Sequence, residues 1–316
     1  MGLAQFDSRK TYFDGAGTPI TGCQKTEQAI KLAKLDWDVE KCPLYLADGT
    51  PVDNFFCNVK SDDGKQLGVV GKDYGIVSNK DAFEFIDSMI DGGAEFECAG
   101  SYRDLKKTFI VAKTEPMKIL DDNFQPYILV TNSFDGSGAV QAMFTPIRVF
   151  CSNCLVVANK QAPFKIPIRH SRNVLDRLQI AKETLLKNTR YLEYLKTQSE
   201  TWATTKFTKS DFNKHVIPAV LKEMKVTDVK ERKRNKNREE EVRNEIMKTY
   251  NATDLNNYSN TAYRAIQAIA DYESHAEPAR NTDNPQLYMR RITVGMVLLN
   301  ATIQAVSARI GLKRIY

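Results

Sequence analysis

Residues 78–100 read SNKDAFEFIDSMIDGGAEFECAG, and this stretch decides the fold. Ser78, with Asp81 three residues on, is a variant of the capping box, and Ala82, Phe83, Ile86, Met89 and Ile90 recur on one helical face. Gly92-Gly93 stops that helix, and from Ala94 to Ala99 the chain takes on the character of a strand. A helix with a single apolar face beside a strand calls for a sheet that the helix can cover.

Upstream, the apolar runs Leu44-Tyr45-Leu46, Asn54-Phe55-Phe56 and Leu67-Gly68-Val69-Val70 are separated by Asp48-Gly49 and Ser61-Asp62-Asp63-Gly64, the punctuation of antiparallel hairpins. Thr26 to Leu35 has the spacing of a short helix ahead of Trp37, and residues 1–26, rich in Gly, Thr and Asp, read as an arm. Downstream, strands are expected over Thr108 to Lys113, Tyr127 to Asn132 and, after the turn Asp135-Gly136-Ser137-Gly138, Ala139 to Phe150. After Pro163 and Pro167 the pattern becomes helical, with Val174, Leu175, Leu178, Ala181, Leu185 and Leu192 in register and two more helices near 259–275 and 286–310. The highly charged run within 229–243 is expected to be exposed and mobile. The expected class is α+β: an antiparallel β-rich domain with one packed helix over 27–162, followed by a mainly helical region over 163–316.

The chain has 316 residues, 42% hydrophobic and 27% charged, enough to bury an ordinary globular core. No run approaches the roughly 18 apolar residues of a membrane span, and Met1 to Asp7 lacks a basic region followed by an apolar one. Six scattered cysteines suit reduced thiols better than a disulfide framework, so the expected address is a cytoplasm. The net charge of +6 conceals an asymmetry: residues 1–160 carry 17 basic and 22 acidic side chains, residues 161–316 carry 28 and 17. A basic half of this kind fits either an anionic partner such as nucleic acid or a solvated helical surface.

Most chemical motifs fail on inspection. Cys151-Ser152-Asn153-Cys154 has zinc-knuckle spacing but no second ligand pair follows, so no metal or other cofactor is expected. His170, His215 and His275 are far apart in sequence and lack a hydrolase context, and Val70-Gly71-Lys72-Asp73 lacks the first glycine and the hydroxyl residue of a phosphate-binding loop. Glu84, Asp87 and Asp91, or Glu95 and Glu97, have the chemistry to hold Mg²⁺, yet their spacing is that of solvated faces. No catalytic residue is assigned.

Basic residues interleaved with aromatic ones are better represented. Lys106, Lys107, Arg148, Lys160, Lys165, Arg169, His170 and Arg172 are candidate phosphate contacts, and Tyr102 and Phe109 are candidate stacking rings. The alternative is that the rings are core and the charges incidental. The turn from Asn132 to Gly138 is open to two interpretations, a site or a hairpin, since Ser, Asp, Asn and Gly are what a tight turn requires.

Several motifs resemble, in order, those of the phage/plasmid-like protein family, domain of unknown function 932. They are Leu35 to Lys41, Gly68 to Tyr74 with Asn79 to Asp87, Cys98-Ala99-Gly100, Thr131 to Ser137, Pro146 to Asn153, Ile168-Arg169-His170-Ser171 and Thr261 to Tyr272. Phe134, Cys154, Tyr263 and Gln267 depart from the usual His, Thr, Trp and Asn, and the loss of that histidine weakens an enzymatic role. The resemblance implies a mobile-element origin in a bacterial host. By element order alone, a helix followed by a β-meander is similar to the core of single-strand annealing proteins, an analogy at the level of fold. The resulting expectation is a non-catalytic protein, not an enzyme, that binds single-stranded DNA as a homo-oligomer; the alternative is a self-assembling or host-factor-binding protein without nucleic-acid activity.

Overall fold

The computed structural model describes residues 16–148, 165–174, 176–178, 190–224, 232–275 and 297–311. The fold is α+β, with antiparallel sheets in the N-terminal half and helices gathered in the C-terminal half. In chain order the first elements are β1 (Thr18–Pro19), α1 (Thr26–Leu32), β2 (Val39–Tyr45), β3 (Pro51–Lys60) and β4 (Gln66–Gly71). Then come α2 (Asn79–Phe83), a 3-10 turn (Glu84–Ile86), α3 (Asp87–Ile90), β5 (Glu95–Tyr102), β6 (Lys107–Lys113), β7 (Met117–Ile119), β8 (Asp122–Ser133), β9 (Val140–Arg148) and β10 (Lys165–Ile168). A small sheet has the order β2-β3-β4; a large one has the order β1-β5-β6-β8-β9-β10, with β7 paired to β8.

The stretch 78–100 forms the expected helical segment followed by a strand, although the helix is divided into two α-helical pieces by a 3-10 turn. Ser78 caps α2, its hydroxyl accepting from the Asp81 amide at 3.0 Å, and Gly93 takes a left-handed φ of 101° where the helix ends. Ala82, Phe83 and Ile86 are fully buried. Thr26, at the start of α1, donates its hydroxyl to Asp87 at 2.8 Å and to the Phe83 carbonyl at 3.2 Å, which ties α1 to this helical segment. Burial in β6 and β8 is continuous rather than alternating, from Thr108 to Ala112 and from Pro126 to Ser133, so both faces of the central strands are covered.

Three expectations are corrected. The end of the supposed arm belongs to the core: Thr18–Pro19 pairs with Ala99 and Cys98, and Ala16 and Ile20 are buried. Lys165–Ile168 extends the large sheet beyond residue 162 by pairing with β9, and Pro167 is tolerated because β10 is an edge strand. The charged run is exposed as expected at Arg238, Glu240 and Glu241, but it is helical from Arg232 onward, because Val242, Ile246 and Tyr250 recur every fourth residue and bury one face.

The helical half comprises α4 (Arg190–Thr204), α5 (Lys209–Asp211), a π-turn (Phe212–Val216), α6 (Ile217–Glu223), α7 (Arg232–Tyr250), α8 (Ala262–His275) and α9 (Val297–Ile310). Its centre is α8, where buried Ala262, Ala265, Ala268 and Ala270 permit close packing with its neighbours. The helices meet the sheet at the β7–β8 turn, where Tyr258 donates to Asp121 at 3.3 Å and Tyr263 to Asp122 at 3.0 Å. One hydrophobic cluster runs without a break from Ala16 to Val306, so both halves share a core. Among the described residues no helix is long and apolar enough to cross a membrane.

Arg264 is the principal buried cation of the helical half. Its guanidinium donates to the carbonyls of Tyr250 and Leu255 at 2.7 Å and of Ala252 at 3.3 Å, closing the C-terminal end of α7. Arg264→Met should lower the unfolding free energy by about 3 kcal/mol, since those carbonyls lose their donor. Urea denaturation followed by circular dichroism checks this.

Candidate functional site

A shallow surface groove of about 620 Å³ lies where the small sheet meets the segment after β10. Three stretches remote in sequence line it: Asn54 and Phe55 on β3, Gly71 to Tyr74 at and beyond the end of β4, and Arg169 to Ser171 with Arg177. Phe55 is 52% exposed, which leaves one ring face open to solvent.

The wall of the groove is built on a stack. The Tyr74 and His170 rings lie 4.6 Å apart and within 10° of parallel. His170 Nδ1 is 3.0 Å from the Gly75 carbonyl oxygen, a geometry in which Nδ1–H donates and Nε2 remains an acceptor. Nε2 is buried and has no hydrogen-bond partner among the described residues. Burial holds the His170 pKa below its ordinary value of 6.5, although the Gly75 carbonyl and Asp135 oppose that shift. Gly75 permits the approach: a Cβ there would fall well inside contact distance of the Ser171 carbonyl.

Tyr74 donates its hydroxyl to the Ser133 carbonyl, and burial raises its pKa. Lys41 supports the groove from behind, donating to the Lys72 carbonyl at 3.1 Å with its ammonium 5.6 Å from the Phe56 ring centroid. Arg172 pairs with Asp73. Lys72, Arg169 and Arg177 make no ion pair among the described residues, which leaves the groove cationic.

Next to this wall stands the Asn132–Gly138 turn. Asp135 Oδ1 accepts from the Ser133 hydroxyl at 2.7 Å, the Ser137 hydroxyl at 2.7 Å and the Ser137 amide at 2.9 Å. Those bonds hold its pKa below the usual carboxylate range against the effect of burial. Asp135 acts electrostatically on Tyr74, Tyr102, Lys107 and His170, so these groups surround it.

The sequence candidates therefore divide. Arg169 and His170 line the groove and Arg172 flanks it, whereas Lys106, Lys107 and Tyr102 lie at the β5–β6 hairpin beyond Asp135. Lys107 is half-buried, and burial depresses its pKa. Tyr102 is tilted against Phe109 with centroids 6.3 Å apart, and burial pushes its hydroxyl up to about 12. Phe109 has no exposed surface, so it is a core residue and no stacking platform. Lys160 and the Cys151–Cys154 pair lie outside the described residues, as do the side chains of Arg148 and Lys165. Asn54, Phe55, Lys72, Tyr74 and Arg177 were missed; Phe55 had a signal, since only one ring of an alternating Phe55-Phe56 pair can face a core.

Three of the five carboxylates considered for Mg²⁺ have structural partners. Asp87 receives the Thr26 amide at 2.6 Å, Asp91 pairs with Lys25 at 3.0 Å and Glu95 with Lys113 at 2.9 Å. Among the described residues no group of three His, Cys, Asp or Glu side chains is placed to hold a metal.

Fold and groove together define an α+β protein with an open, cationic, aromatic-walled surface site. The chain matches the family described as Domain of unknown function (DUF932) over residues 66–293, and it belongs to that family. No curated protein and no solved structure matches it.

His170 sets a pH dependence. Its folded pKa lies below its unfolded value, so the unfolded chain binds the proton more readily. Stability from this residue should be complete above pH 6.5 and decline as pH falls from there through the folded pKa. Thermal melts across that range should show a flatter profile for His170→Phe than for the parent.

Proposed function

We propose that this protein is a non-catalytic nucleic-acid-binding protein of phage or plasmid origin. It holds single-stranded DNA in the groove and acts, as a homo-oligomer in a bacterial cytoplasm, in annealing or recombination. The observation that supports this most is the combination of Lys72, Arg169 and Arg177, which make no ion pair among the described residues, with the exposed Phe55 side chain. Cations neutralise phosphates while an open aromatic face stacks on any base, which is how single strands are bound without sequence preference. The groove is open rather than enclosed, as a polymer passing through it requires. The mobile-element origin is supported by the sequence motifs that resemble those of phage- and plasmid-borne proteins.

A second function has one observation in its favour. Tyr45, Leu46, Phe55 and Val69, each more than half exposed, all belong to the small sheet or its hairpin. Such a concentration of apolar surface suits self-assembly or docking on a host factor.

Fluorescence anisotropy with labelled single-stranded and duplex DNA across a salt series tests the proposal. Three phosphate contacts predict a slope of about −2 for log affinity against log salt on single strands, and Arg169→Ala should reduce its magnitude by about 0.7. Phe55→Ala should cost about 1–3 kcal/mol of affinity. Absence of binding at low salt would refute the DNA proposal and favour the apolar surface.

A further inference from the structure

In the small sheet, Cys42 on β2 and Cys57 on β3 are direct register partners, and both are free thiols. Residues directly opposite in an antiparallel pair project to the same face with Cα atoms about 4.5 or 5.5 Å apart, according to their hydrogen-bonding position. Either separation falls in the span of about 4.4–6.8 Å that a disulfide bridges. The register therefore sets the two Cα atoms at a separation that a disulfide can span.

We propose that Cys42 and Cys57 are a thiol–disulfide site that is closed by a small-molecule disulfide such as oxidised glutathione. Access differs between the two. Cys42 is half-buried on an edge strand, whereas Cys57 is 8% exposed and its thiol lies 3.6 Å from the Asn58 carbonyl. The Cys42 thiolate attacks one sulfur of the external disulfide, forming a mixed disulfide and releasing one thiol. The Cys57 thiolate then displaces the second thiol from the Cys42 sulfur. Two protein thiols become one disulfide, and the external disulfide is reduced to two thiols.

The bond would lock β2 to β3, and β3 carries Asn54 and Phe55 into the groove. The site stands independently of any DNA-binding role, because it rests on strand register alone.

Its test uses the full chain, folded, in oxidised glutathione, followed by alkylation and tryptic digestion. Cleavage after Lys41 and Lys60 releases one peptide, Cys42 to Lys60, that contains both cysteines and no others. The expected product is that peptide lighter by two hydrogens and refractory to alkylation, with Cys57→Ser arrested as a glutathione adduct on Cys42. Ring closure should be at least about tenfold slower in denaturant, where the register is lost. Recovery of both cysteines alkylated, accumulation of the mixed disulfide in the parent, or equal closure rates folded and unfolded would each overturn the proposal.

Discussion

The turn after β8 joins the two sheets, and the rest of the molecule is arranged around that joint. Asn58 of the small sheet donates its side-chain amide to the Phe134 carbonyl at 2.7 Å. Asn132 donates to the Val77 carbonyl at 2.9 Å, and Phe134 receives support from Lys106, whose carbonyl accepts its amide. The Phe134 ring meets Trp37 at 5.1 Å in a compact cluster with Leu67, separate from the main core. Gly68 passes against Asp135 so closely that a Cβ there would collide with its backbone. These contacts fix the small sheet against the turn and so help to place β3 at one side of the groove.

Legibility followed physical rules. Elements with a clean period were readable: the Ser78 cap, the hairpins and the central strands all announce themselves locally. Elements that depend on context were not. Ile20 is a single apolar residue among glycines, so no period marks the two-residue strand beside it. Pro167 looks like a break until an edge strand is known to be there. Charge density hid the apolar positions Val242, Ile246 and Tyr250 within one helix. Phe109 was misjudged for a related reason: on a strand buried on both faces, alternation no longer separates core from surface.

The groove was only partly legible because it is assembled from distant segments. Ile168-Arg169-His170-Ser171 carried a readable concentration of charge, and those residues do line the groove or lie beside it. Phe55 and Lys72 drew attention only as a hairpin residue and a failed phosphate-loop residue. Sequence spacing cannot bring positions 54, 72 and 169 together; the register of the small sheet and the Tyr74–His170 stack do so. The Asn132–Gly138 turn, which permitted two interpretations, has a definite structural role as the joint and also surrounds Asp135 with titratable groups.

The shared core also imposes an order on biosynthesis. Residues 39–71 can pair among themselves as soon as they leave the ribosome, yet their docking turn follows some sixty residues later, and Arg169 and His170 later still. Tyr258 and Tyr263 must then reach back to Asp121 and Asp122 before the helices can seat on the sheet. A nascent chain therefore carries the small sheet without its docking turn until Phe134 has emerged, and premature termination before Tyr258 removes both contacts that seat the helices on the β7–β8 turn.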